Sequence, residues 1–233
     1  MKKIWRFFKK AFLFCFISSL VYLLVCRFLF PPITITQLGD SFSYGLKRDY
    51  VPWSQISRNV KLAAIASEDQ TFPDHNGFDL NAIQKSLNPK KKNKKKKLPL
   101  GAGASTITQQ TAKNVFLWQG SGPMRYVRKL PEAYFTLLIE WIWGKQRILE
   151  VYLNVIEMGP GIFGIEAAAQ HYYGKHAKDL SRAEAASIIA CLPNPKRFTV
   201  KPASRFVGWK QQRIMRQMSQ LEGDEDLEAI LKK

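Results

Sequence analysis

Glu68-Asp69-Gln70-Thr71-Phe72-Pro73-Asp74-His75-Asn76-Gly77-Phe78-Asp79 closes an apolar run in which Val60, Leu62, Ala63, Ile65 and Ala66 share helical spacing. Ser57 or Ser54 is placed to cap the start of that helix. Further along, Gly103-Ala104-Ser105-Thr106-Ile107-Thr108-Gln109-Gln110 gathers hydroxyls and amides at what reads as another helix start. A packed core does not tolerate this density of polar groups, so the two stretches argue for a site carried on helices. Acids at the C-terminal end of a helix oppose its macrodipole, so Glu68 and Asp69 stand where local electrostatics disfavours them. That placement fits a functional role and an ordinary exposed pair about equally. His75 and Asp79 read as catalytic groups or as ties within the loop, the tie being favoured for His75.

The rest of the chain is also helical in pattern. Ser105 is expected to cap a helix running to Leu117, with Lys113 one turn beyond Gln109 and Gln110 and able to share their face. A helix N-terminus of this kind attracts anions. A long apolar helix is expected from about Tyr126 to Trp143 and another from Lys145 to Leu153, with Asn154 at its end. Pro131 falls inside the first, where an interior proline costs roughly 3 kcal/mol. The helix therefore kinks there, or it starts there with Pro131 as its first residue. Arg128 and Glu132, four apart, suit a modest surface pair. Ser181-Arg182-Ala183-Glu184 is a capping box opening a helix that Pro193 must end, and Ser204 to Leu221 follows as another helix. Ile33-Thr34-Ile35-Thr36 alternates like a short strand, and the tail from Gly223 to Lys233 is expected to fray. Gly159-Pro160-Gly161-Ile162-Phe163-Gly164 allows tight turns but is no phosphate fingerprint, for want of a preceding strand.

Charge and hydropathy restrict the setting. The 233 residues carry 36 Lys and Arg against 18 Asp and Glu, a formal net charge of +18. Such a balance suits nucleic acid, an anionic membrane or a phosphorylated substrate. Ala11 to Phe30 is almost wholly apolar and of the length a helix needs to cross a bilayer. The basic residues before it put the N-terminus inside. Cys26-Arg27-Phe28-Leu29-Phe30-Pro31-Pro32 is bulky and charged rather than small, which favours an uncleaved anchor over a signal peptide. The three cysteines form no disulfide framework and no zinc spacing. The chain thus divides into a basic N-terminus (1–10), a transmembrane anchor (11–30), a connector (31–52), a mainly α-helical domain (53–222) with a mobile lysine-rich loop (88–98), and a tail (223–233).

These motifs, in order from Val60 to Pro195, resemble those of the peptidoglycan glycosyltransferases, glycosyltransferase family 51. The match runs through Glu68 to Asp79, Gly103 to Gln110, Arg125 to Glu132, Lys145 to Asn154 with Ala168 to Lys175, and Leu192 to Pro195. The monofunctional biosynthetic members are the most similar, since neither Ser-x-x-Lys nor Lys-Thr-Gly of a transpeptidase domain is present. The resemblance implies a lysozyme-like helical fold and a polymerase of lipid II that releases undecaprenyl pyrophosphate with inversion. It implies Glu68 as the general base and Glu132 as a second, supporting carboxylate. Lys113, Arg125 and Arg128 would hold the donor pyrophosphate. Asp69, Phe72, His75, Ser105, Thr106, Gln109, Gln110, Asn114, Lys129, Tyr152 and Asn154 would line the substrate site. No cofactor or metal is required, although a divalent cation remains compatible. The expected partners are lipid II, the growing glycan strand, the bilayer and other cell-wall synthesis proteins, with no nucleic acid. The expected location is the bacterial inner membrane, single-pass, with the catalytic domain in the periplasm. Lys90 to Lys97 would dock on anionic headgroups or guide the lipid pyrophosphate, or stay a solvated loop.

Two other readings stand beside this one. A lysozyme-like hydrolase or lytic transglycosylase would also use a glutamate pair on a helical fold, but Lys113, Arg125 and Arg128 have no duty in glycan hydrolysis. A non-enzymatic, membrane-tethered polyanion-binding module would explain the charge, though not the polar cluster from Ser105 to Gln110.

Overall fold

The computed structural model describes residues 2–87, 105–119, 122 and 124–232, with Arg125 described by its backbone alone. The lysine-rich segment at 88–98 lies outside the described residues. In chain order the elements are α1 (Lys2–Phe28), α2 (Ile35–Tyr44), β1 (Lys47–Arg48), α3 (Arg58–Glu68), α4 (Leu80–Leu87) and α5 (Ile107–Phe116). After them come α6 (Met124–Val127), α7 (Lys129–Trp143), α8 (Lys145–Val155), β2 (Glu157–Gly159), β3 (Ile162–Phe163), α9 (Ile165–Tyr173), α10 (Arg182–Ala190), α11 (Arg205–Leu221) and α12 (Glu225–Lys232). The fold is mainly α, as expected.

Two helix layers make the core. Helix α3 packs between α10 and α11, and α5 packs against α7 and α8. Because α3 is enclosed, Val60 and Leu62 through Ala66 are all fully buried, and the small alanines let its neighbours approach. Ser57, not Ser54, caps α3 by accepting from the Val60 N–H.

The local chemistry explains where the helices depart from expectation. Ile33 to Thr36 is no strand: Thr34 and Gln37 form a capping box that starts α2. The α5 cap is Thr106 rather than Ser105, because Gln109 stands three residues on and closes a second such box. The expected helix over Tyr126 to Trp143 is broken at Arg128, which caps α7. Pro131 is then the third residue of α7, in the first turn, where a missing N–H forfeits no intrahelical bond.

The connector and the tail both join the domain. Lys47 and Arg48 of β1 pair in parallel with Ile162 and Phe163 of β3, which also pairs antiparallel with β2. The glycine-rich run is therefore a hairpin with a short strand before it. At Gly161 (φ +68°) a Cβ would fall 2.5 Å from the Gly45 carbonyl oxygen, so only glycine lets β1 close on β3. The tail does not fray. Helix α12 buries Leu227 and Leu231, while its Glu228 pairs with Arg58 of α3.

Helix α1 is 27 residues long with a mean hydropathy of 2.1 over its most apolar window. At 1.5 Å per residue it extends about 40 Å, enough to cross a bilayer. Most of its side chains face outward, and its C-terminal half is held by polar bonds to the domain. Ser19 Oγ lies 3.0 Å from Tyr134 Oη, the Trp143 indole donates to the Leu23 carbonyl at 2.9 Å, and Arg147 donates to those of Cys26 and Leu29 at 2.9 and 2.7 Å.

Candidate active site

Glu68 ends α3 at the wall of an open cleft of ≈ 320 Å³, which Ser105, Thr106, Arg213 and Gln217 also line. Its carboxylate is fixed from three elements. Oε1 accepts from Ser67 Oγ at 2.8 Å and pairs with Lys210 Nζ at 3.2 Å, and Oε2 accepts from the Gln110 amide at 3.3 Å. Tyr152, fully buried on α8, donates to the Gln110 side-chain oxygen Oε1 at 3.3 Å and so sets the direction of that amide. One more turn along α5 from Gln110 is Lys113.

Lys113 connects the two halves of the site. No hydrogen bond or ion pair among the described residues engages its ammonium. Burial pushes its pKa down to about 8, the positive charges of Arg128 and Lys129 act in the same direction, and Glu132 and Glu68 pull it back up. It therefore feels both glutamates. Glu132, 2 % exposed, pairs with Lys129 through one oxygen. Its other oxygen stands 3.3 Å from Arg128 Nε without hydrogen-bond geometry, and both atoms are buried with bonding capacity unspent. Arg128 in turn donates to the Trp118 carbonyl at 2.8 Å. The surface pair expected from the spacing is instead a buried Arg128–Glu132 pair, with the exposed Lys129 reaching in to the same carboxylate.

Asp69 and Thr106 line the same cleft, and the other expected site residues support it from behind. Asp69 is 7 % exposed and accepts from the Ile107 N–H at 2.9 Å, so its charge sits at the N-terminus of α5. The same carboxylate meets His75 Nε2 at 3.0 Å, while His75 Nδ1 accepts from the Gly77 N–H. His75 is thus the loop tie that its sequence context favoured, and Asp69 is the partner that the sequence did not locate. Thr106 donates to the Gly77 carbonyl at 2.6 Å, and Gln109 is spent on the capping box. Phe72 is fully buried in the core, with Lys145 Nζ 4.7 Å from its ring centre. Asn114 bonds to the Gln110 carbonyl and to Gln119, closing the end of α5. Asn154 lies within α8, fully buried, and its side chain bonds to both backbone polar groups of Val51. It holds the connector, not the cleft. Arg125 lies on α6, and its side chain is not among those described.

Sequence reasoning missed Lys210, Arg213 and Gln217. They occupy positions i, i+3 and i+7 of α11, one helical face, and that face is the wall opposite α5. Locally they read as ordinary basic and polar positions of an amphipathic helix. Only the packing of α11 on α3 brings Lys210 to Glu68.

Comparison with known proteins identifies the family. Residues 35–219 match the family described as Transglycosylase. A biosynthetic peptidoglycan transglycosylase of Bdellovibrio bacteriovorus is 47% identical over 219 residues, covering 90% of this chain and 84% of the relative. The protein of that name from Aeromonas hydrophila is 46% identical over 217 residues, covering 91% and 89%. That from Shewanella oneidensis is 42% identical over 234 residues, covering 95% and 94%. The match begins inside α2, before the expected start of the domain at 53, which accords with the connector being part of the fold.

Proposed function

The chain belongs to the transglycosylase family and is a peptidoglycan transglycosylase with a lysozyme-like helical fold, and from that premise we propose that it polymerises lipid II into glycan strands. Glu68 takes the proton from the acceptor sugar's 4-hydroxyl. The freed oxygen attacks the donor's anomeric carbon from the face opposite the leaving group, so that carbon inverts. The bond to the diphosphate breaks and undecaprenyl pyrophosphate departs with the electron pair. A sugar hydroxyl is too weak an acid to attack unaided, and a positioned carboxylate base contributes on the order of 10²–10⁴-fold. Lys113 and Arg128, with Arg125 beside them on the chain, meet the charge growing on the leaving diphosphate, where fixed cations act most strongly. Glu132 holds those cations in place.

One observation supports this reading: Lys113, whose ammonium has no hydrogen bond or ion pair among the described residues, is acted on by the charges of both Glu68 and Glu132, and Glu132 itself lies 3.3 Å from the buried Arg128. Proton abstraction beside a departing anion needs that pairing, and glycan hydrolysis does not. Helix α1 supports a single-pass anchor in the cytoplasmic membrane, N-terminus inside and domain outside, which keeps the enzyme beside a substrate that cannot leave the bilayer. The test offers the purified full-length protein labelled lipid II and preformed glycan together. Polymer growth with intact glycan is expected, whereas cut glycan and untouched lipid II would install the hydrolase instead.

A further inference from the structure

Five side chains outside the reaction centre form an unbroken ladder leading into the cleft. Arg197 lies 5.9 Å from the Phe198 ring centre, and Phe198 stacks on Phe206 at 4.0 Å with 18° between the rings. Phe206 meets Trp209 at 6.0 Å, and Arg213 lies 5.9 Å from the Trp209 ring. Arg213 then lines the same cleft as Glu68. Trp209 is 57 % exposed, although nothing in the packing of α11 requires an indole there.

We propose that this ladder is a binding track for the glycan strand, adjoining the reaction centre and holding sugar rings outside it. The proposal rests on the polymerase reading for the identity of its ligand. A pyranose presents an apolar C–H face of about ring size with its hydroxyls at the rim, so an exposed indole gains by covering that face. Guanidinium groups at the two ends suit the carboxylates that stem peptides carry along a peptidoglycan strand. No acid interrupts the ladder. A bilayer surface is the less favoured occupant, because apart from the half-buried Phe206 the neighbours of Trp209 on α11, namely Arg205, Gln212, Arg213 and Arg216, are exposed and polar. A helix lying in a membrane presents an apolar face instead.

The test uses full-length protein in detergent carrying Glu68→Gln, so that no strand is made, and soluble peptidoglycan glycan strands with their stem peptides as the probe. Trp209→Ala should weaken strand binding about tenfold, a loss of one good stacking contact, and Trp209→Phe should restore most of it. Equal binding by the alanine variant would overturn the proposal. So would unchanged strand binding with lost adhesion to vesicles of phosphatidylglycerol and phosphatidylethanolamine, which would make the ladder a membrane contact. Because binding needs no turnover, wild-type protein that leaves lipid II unpolymerised, beside strand binding lost through Trp209→Ala, would sink the polymerase reading and leave the track standing.

Discussion

Lys113 is the residue at which electrostatics and chemistry meet. Burial lowers it to about 8, and the cations beside it add to that shift, so its charge fades on the alkaline side of neutrality. Turnover that needs the ammonium should decline as pH rises through about 8. Lys113→Arg carries a charge that does not titrate in this range, so the alkaline limb should disappear even if the overall rate falls. An unchanged limb in that variant would assign it to another group. Stability moves the other way. Between about 8 and 10.5 the unfolded chain binds more protons at this lysine than the folded one, so its contribution to folding improves as pH climbs. A lysine whose charged form burial disfavours is a cost to the fold, which fits the role proposed for it in the cleft.

Among the elements, α2 is fastened to β2 by a three-membered cluster. Lys196 Nζ lies 2.6 Å from Asp40 of α2 and 3.8 Å from Glu157 of β2, and one oxygen of each carboxylate is buried without a hydrogen bond. Burial, reinforced by Asp40, pushes Glu157 up to about 7, with Lys196 opposing. A raised carboxyl stabilises the fold while protonated; that contribution is whole below about 4.5 and is lost as pH rises through about 7. The melting temperature should therefore fall between pH 5 and pH 8, and Glu157→Gln should flatten that slope. Parallel slopes for the two proteins would remove Glu157 as the cause. This scale also shows what the sequence made legible. Ser181-x-x-Glu184 announced its helix because nothing competed with the pattern. Thr34-x-x-Gln37 and Thr106-x-x-Gln109 are the same device, but alternating Ile and Thr hid the first and the adjacent Ser105 hid the second.

For the whole molecule, segments outside residues 53–222 pack into the helical domain from both ends. The connector supplies β1, whose partner strand lies more than a hundred residues away. Helix α12 covers α3 and α8 with two leucines at most 6 % exposed. Each buried leucine is worth about 1.5–3 kcal/mol, so deleting residues 223–233 should lower the unfolding free energy by about 3 kcal/mol or more. A deletion with unaltered denaturant midpoint would show that α12 only rests on the surface. The same long-range packing explains why Glu68, Gln110 and Lys113 were readable in order along the chain while Lys210 was not. Motifs close in sequence announce themselves, but a lysine 142 residues beyond its partner is found only once the helices have packed. The role proposed for Glu68, base of a polymerase, is read out by purified full-length protein given labelled lipid II, wild type beside Glu68→Gln, with products resolved by size. Long lysozyme-sensitive strands from the wild type and none from the variant are expected, whereas strands of equal yield from both would remove Glu68 as the base.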